Sequence, residues 1–219
     1  MLTLKRLACK HINHVPNDYG VIKEVYEREK LYLKYLQGKS NPNTIPVKFW
    51  DEDLYLKYFS LCKIVMIPDQ YSTKYLYMKA LQMNIRCFKN IPKQYLDRDM
   101  CLIGVKKNVD YIKIIPIDLI DREICVIAVK KCSSMLEYVP VHLKDREICM
   151  IAVNRWGYML RHVPEHLKDR EMCLVAVLSW YAALEYVPEQ LIDVEMCFTA
   201  VKKDGRALQY IPEHLRDQM

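Results

Sequence analysis

Nine cysteines, six histidines and a row of acidic triplets are the residues of this 219-residue chain whose types suit chemistry. Cys101, Cys125, Cys149, Cys173 and Cys197 recur at a constant step of 24. Residues at equivalent positions on packed neighbouring helices lie about 8–10 Å apart. A disulfide needs Cβ atoms about 3.5–4.5 Å apart, and tetrahedral zinc needs Zn–S near 2.3 Å. The five are therefore expected to be reduced, buried and inert. Cys9, Cys62, Cys87 and Cys132 fall off the step, and a pair among them stays open. His142, His166 and His214 share one register with Gln190 and Asp118, which reads as an exposed turn. His11 and His14 lack a third ligand, so no metal and no cofactor is expected.

The acidic triplets begin at Asp97, Asp121, Asp145 and Asp169. Carboxylate catalysis needs two carboxyls in different environments. These are copies of one environment, each in a place that suits a helix cap. No phosphate-binding loop, nucleophile elbow, metalloprotease or dinucleotide motif occurs. The expectation is a protein that is not an enzyme.

The elements that hold these residues follow the same step. Prolines stand at 92, 116, 140, 164, 188 and 212, and Val105, Val129, Val153, Val177 and Val201 keep the interval. A fixed period of this size marks stacked repeats. Leucine-rich repeats of similar length need alternating leucines and an asparagine ladder, and neither is present. Asp is a favoured N-cap, Glu just inside a helix complements its positive end, and the Lys130–Lys131 and Lys202–Lys203 pairs suit the negative end. Gly157 and Gly205 suit a turn out of the helix, and a second short helix follows, as in "RALQYI". The helix after each Asp ("ICMIAV", "MCLVAV") is apolar on nearly every side, predicting burial all round. The fold class expected is all-α: an α-solenoid, right- or left-handed, of ~24-residue two-helix repeats with a divergent N-terminal cap. Residues 1–45 read as the cap, 46–91 as degenerate units and 92–219 as regular units.

"ALEYVPEQLIDVEMCFTAVKKDGRALQYIPEHL", from Ala183 to Leu215, resembles the repeat family catalogued as domain of unknown function 4116. The resemblance covers residues 92–219 well and 46–91 poorly. It implies a helical repeat fold and no established activity, and it supplies no catalytic residues. Such repeats are known mainly from giant DNA viruses and intracellular bacteria, and the many Cys, Tyr, Ile and Lys residues fit a giant-virus origin, which would place the protein in the host cytoplasm.

Binding residues are best sought where the units differ. Trp156 and Trp180 occupy one register on adjacent units, with Tyr158 and Tyr181 beside them, and exposed aromatic pairs are common anchors for protein partners. The opposing reading has both indoles packed between units. Near the end, Leu208 and Leu215 copy interior residues that a following unit covers, which predicts an association edge for a second copy or a partner. Charge is uneven. Residues 1–91 carry 15 Lys+Arg against 8 Asp+Glu, a balance of +7, and residues 92–219 carry 18 against 19, a balance of −1. The alternative function is therefore nucleic-acid binding by the basic, Tyr-rich N-terminal region, through Lys5, Arg6, Lys10, Lys34 and Lys39. The favoured function is a repeat scaffold for a protein partner of unspecified identity. No apolar run approaches the ~18 residues of a membrane span, and the start lacks a signal-peptide core. A cytoplasmic protein without membrane contact is expected.

Overall fold

A computed structural model of the protein describes Glu27, Lys30, residues 52–60 and residues 71–218. Two compact units divide the chain, Met1–Ser72 and Thr73–Met219. In the first, helix α1 (Glu52–Ser60) buries Tyr55 and Phe59, and the Tyr55 and Tyr71 rings lie 5.0 Å apart. The second unit carries the repeats. Its helices are α2 (Lys74–Met83), α3 (Arg98–Lys107), α4 (Arg122–Lys131), α5 (Arg146–Arg155), α6 (Arg170–Ser179), α7 (Val194–Lys203) and a one-turn α8 (Glu213–Arg216). There is no strand among the described residues, and none of their helices is long and apolar enough to cross a membrane.

Each of α3 to α7 starts because an aspartate stops the chain in extended conformation and caps it. The Asp169 carboxylate accepts the Met172 N–H at 2.8 Å, and Asp97, Asp121, Asp145 and Asp193 accept equivalent bonds at 2.7–2.9 Å. Thr73 stands one period before Asp97 and caps α2 in the same way at 3.2 Å. Each of α3 to α7 runs for 10 residues and ends at an extended residue that donates its N–H four residues back. The second element of each unit is a 3-10 helix of five or six residues, such as Ser133–Tyr138, Gly157–His162 and Tyr181–Tyr186. The two-helix unit holds, with its second helix in the tighter winding. After it come the proline and a three-residue 3-10 turn that leads to the next aspartate.

Successive α-helices contact each other, as do successive 3-10 helices, and the core lies between these two layers. In α5 the core residues are Ile148, Cys149, Ala152 and Val153, a single stripe at helical spacing. Leu160 of the following 3-10 helix and Val163 just after it join them in the core. Burial all round is not what the helix shows. Met150 and Ile151, with their equivalents Val126, Leu174 and Val175, are half-buried between neighbouring helices. The helices are covered on one face and at the flanks, so the outward apolar residues keep partial exposure. Volume is balanced across the layers: where Phe88 replaces the usual Leu, Gly104 replaces the usual Ala, and a Cβ there would meet the Phe88 ring at 2.8 Å.

Candidate functional site: an aromatic junction between two repeats

The five cysteines at the 24-residue step are free and fully buried. Burial pushes the Cys101 thiol up to about 12 and those of Cys125, Cys149 and Cys173 to about 11. Nucleophilic and metal-binding cysteines act as thiolates, which these cannot supply at neutral pH. Cys132 is free as well, the Cys87 thiol donates to the Asn84 carbonyl at 2.8 Å, and Cys9 and Cys62 lie outside the described residues. His142, His166 and His214 are exposed, and no group of three metal-ligating side chains forms among the described residues.

The acidic triplets join neighbouring units. Arg146 donates through Nε to Asp169 at 2.6 Å and through Nη2 to Glu171 at 2.5 Å, one unit further on. Arg98, Arg122 and Arg170 repeat this fork onto the next aspartate and glutamate. Lys74 makes the first contact, to Asp97 at 2.6 Å. Asp97, Asp121, Asp145, Asp169 and Asp193 cap their helices and, with Glu123, Glu147, Glu171 and Glu195, receive the crosslinks, while Asp99 contacts the neighbouring Arg98 at 3.9 Å.

The aromatic residues come together at the junction of α5 and α6. The Tyr158 ring stands edge-on to Trp180 at 5.4 Å and to Tyr186 at 6.3 Å, and Trp180 and Tyr186 stack at 6.4 Å. Arg161 covers the Tyr158 ring at 4.9 Å and bonds its hydroxyl. The two equivalent indoles divide their roles. Trp180 is half-buried against the core, whereas Trp156 is 60% exposed. Between them opens a pocket of about 360 Å³ lined by Trp156, Gly157, Tyr158, Ser179 and Trp180. Tyr181 lies outside this lining and faces Arg206 at 5.3 Å. Gly157 makes the close approach: a Cβ there would meet the Ala176 carbonyl oxygen at 2.1 Å. It opens a 3-10 helix rather than turning the chain out of α5, which ends at the extended Trp156.

This junction departs from the repeat in ways that cost local stability elsewhere satisfied. Asn84, Asn108 and Asp204 cap their 3-10 helices with a side chain, whereas Trp156 and Trp180, like Cys132, make no such bond. Two positions before Trp180 stands Leu178, 51% exposed, where other units carry Lys106, Lys130, Asn154 or Lys202. Below the rings, Lys144 donates to the His162 carbonyl at 2.9 Å and Lys168 to that of Tyr186 at 2.8 Å. Burial lowers the pKa of Lys144. Leu96, Ile120 and Ile192 hold that register in three other units, and Arg216 holds it after α7. Sequence reasoning passed over Leu178, Tyr186, Arg161 and both lysines. The signal was there, as two adjacent lysines at a register that is apolar in Leu96, Ile120 and Ile192, and a leucine at a polar one.

Other candidate residues fare differently. Leu208 is 52% exposed, but Leu215 is 8% exposed and sits in the core cluster, because α8 turns it inward. Leu215 is thereby corrected from an edge residue to a core residue. Lys5, Arg6, Lys10, Lys34 and Lys39 lie outside the described residues.

A family model for a domain of unknown function, DUF4116, matches residues 97–144, 121–168 and 145–192. Each window starts at a capping aspartate, one repeat after the last. No curated protein and no solved structure matches the chain.

Proposed function

With residues 97–192 belonging to the DUF4116 repeat family, whose description assigns no role, we propose that the chain is a non-catalytic scaffold that binds a protein partner at the α5–α6 junction. The observation that carries the reading is local. Where Asn84, Asn108 and Asp204 cap and Lys106, Lys130 and Lys202 place cations, this junction places Trp156, Leu178 and Trp180. In a repeat array each unit needs only its neighbours, so residues that oppose the repeat's own stabilising pattern are accounted for by something outside it. Exposed tryptophan beside leucine and tyrosine supplies the large apolar area, at low entropic cost, on which binding hot spots are built. Reduced, buried cysteines support a reducing, cytoplasmic setting.

The test is capture of partners from the source cell with the full chain and with a Trp156→Ala/Leu178→Lys double variant, each with and without nuclease. Folding of the variant is checked by circular dichroism. The proposal expects a defined set of proteins that survives nuclease and is lost with the double variant. Capture that the double variant retains overturns it. Capture abolished by nuclease instead supports the nucleic-acid alternative and directs attention to Lys5, Arg6, Lys10, Lys34 and Lys39.

A further inference from the structure

A basic side chain closes the C-terminus of the preceding helix at three of the four junctions between α3 and α7. Lys131 donates to the Lys106 carbonyl at the end of α3. Arg155 donates to the carbonyls of Lys130 and Lys131 at the end of α4, each at 3.1 Å. Lys203 reaches the carbonyls of Leu178 and, at 3.1 Å, Ser179 at the end of α6. By the 24-residue step, the remaining junction assigns this task to residue 179, for the carbonyls of Asn154 and Arg155. Residue 179 is a serine, too short for it, and its Oγ instead accepts the Gly157 N–H at 3.1 Å. The negative end of α5 therefore lacks the cation that the repeat supplies elsewhere.

The pocket lies at that same junction, walled by Trp156, Tyr158 and Trp180 with Ser179 beside them. Indole faces are the strongest aromatic partners for ammonium and guanidinium groups. Two aromatic rings close by already hold such groups, Tyr158 under Arg161 and Tyr181 under Arg206. Among the described residues no cation stands over either indole. The regular part of the chain is near neutral, at −1 over residues 92–219, so a positive partner meets no general repulsion there.

We infer that the pocket between Trp156 and Trp180 receives a lysine or arginine side chain of the partner protein, which takes the place of the missing basic residue of the repeat. This rests on the docking role proposed for the same surface. The partner's side chain is held by the indole faces laterally and by the dipole of α5 at its tip. The chain's own Lys131, Arg155 and Lys203 show what such a tip does at the other junctions.

The test uses the full chain, ¹⁵N-labelled, with the indole N–H signals followed by NMR. The probes are a Gly-Gly-Lys-Gly-Gly peptide, its arginine counterpart and its acetyl-lysine counterpart, which keeps the length and loses the charge. The lysine and arginine peptides are expected to shift the Trp156 and Trp180 signals saturably. The acetyl-lysine peptide is expected to bind at least about tenfold more weakly. Ser179→Lys is expected to abolish lysine-peptide binding by filling the junction from within. Trp156→Leu, which leaves the junction's hydrogen bonds in place, is expected to weaken it as well. Equal binding of the charged and acetylated peptides, or undiminished binding by a folded Ser179→Lys variant, overturns the inference. In either case the docking surface survives if Trp156→Ala/Leu178→Lys still releases the partner. If that double variant keeps the partner, the docking role itself falls.

Discussion

One carboxylate of Asp169 performs two tasks. Its Oδ1 caps α6 through the Met172 N–H, and its Oδ2 receives Arg146 from the previous unit at 2.6 Å. The Arg146 guanidinium holds this carboxyl below its ordinary range, against the upward pull of burial. Asp97, Asp121, Asp145 and Asp193 are lowered too, because burial is outweighed by their backbone and cationic partners. A carboxylate whose folded pKa is depressed gives stability that is present above its unfolded value, about 3.9, and is lost as pH falls through the folded value. At neutral pH, Asp169→Ala is expected to cost ~1 kcal/mol in urea unfolding. Asp169→Asn retains a good cap and loses only the exposed ion pair, and is expected to cost about 0.2–1 kcal/mol. Below pH 4 the difference between the native chain and Asp169→Ala should shrink. A difference that stays constant down to pH 2 would mean that the charge contributes nothing. The cap was legible in the sequence because capping is local: an Asp before an apolar run declares itself. The arginine fork was not, because its two acceptors lie 23 and 25 residues away and no pattern within one unit points to them.

Two kinds of helix alternate along the repeat, and only one was distinguishable in advance. Seven residues between an extended capping residue and a proline admit both α and 3-10 winding, and the apolar spacing is too short to decide between them. The all-apolar face of the α-helices misled for a related reason. Composition counts apolar residues, but it does not say that Met150 and Ile151 lie at the flank while Ile148 and Cys149 lie in the core. The Trp156–Trp180 pair, by contrast, was legible from register alone. The meaning of Ser179 was hidden until the basic residues were seen to reach back one unit. Gly157 belongs to this scale, since it sets how closely the 3-10 helix Gly157–His162 approaches α6. Gly157→Ala places a methyl against backbone that cannot yield alone, and is expected to cost roughly 2 kcal/mol or more by forcing the two elements apart. Gly205 occupies the same register with nothing within 4 Å of its would-be Cβ. Gly205→Ala is therefore the matched control, with almost no expected effect on the denaturant midpoint. Equal losses in the two variants would put the cost in backbone propensity rather than in the approach.

At the scale of the Thr73–Met219 unit, stability is a matter of how well each repeat is covered by the next. Val105, Val129, Val153 and Val177 are fully buried, whereas their equivalent Val201 is half-buried. Leu136, Leu160 and Leu184 are 0–1% exposed, and their equivalent Leu208 is 52% exposed. The crosslinking row thins at the same place, since Val194 holds the register of Arg98, Arg122, Arg146 and Arg170. The core of α7 is nevertheless sealed, with Cys197 and Ala200 as buried as Cys149 and Ala152. The helix is thus correctly formed but supported by fewer neighbouring groups, and it should open on its own. Amide exchange measures this free of local bias, because Cys149 and Cys197, and Ala152 and Ala200, occupy identical helical positions with identical side chains. Exchange at Cys197 and Ala200 is expected to be at least about tenfold faster than at Cys149 and Ala152, through sub-global opening of the last repeat. Each opening event should expose Leu215 and Ile211 together with α7, because all three share one core cluster. Ser179→Lys should leave the ratio unchanged, as it acts at the α5–α6 junction. If Cys197 and Cys149 exchange at the same rate, coverage by the next repeat does not control opening, and the repeats of this unit unfold as a single block.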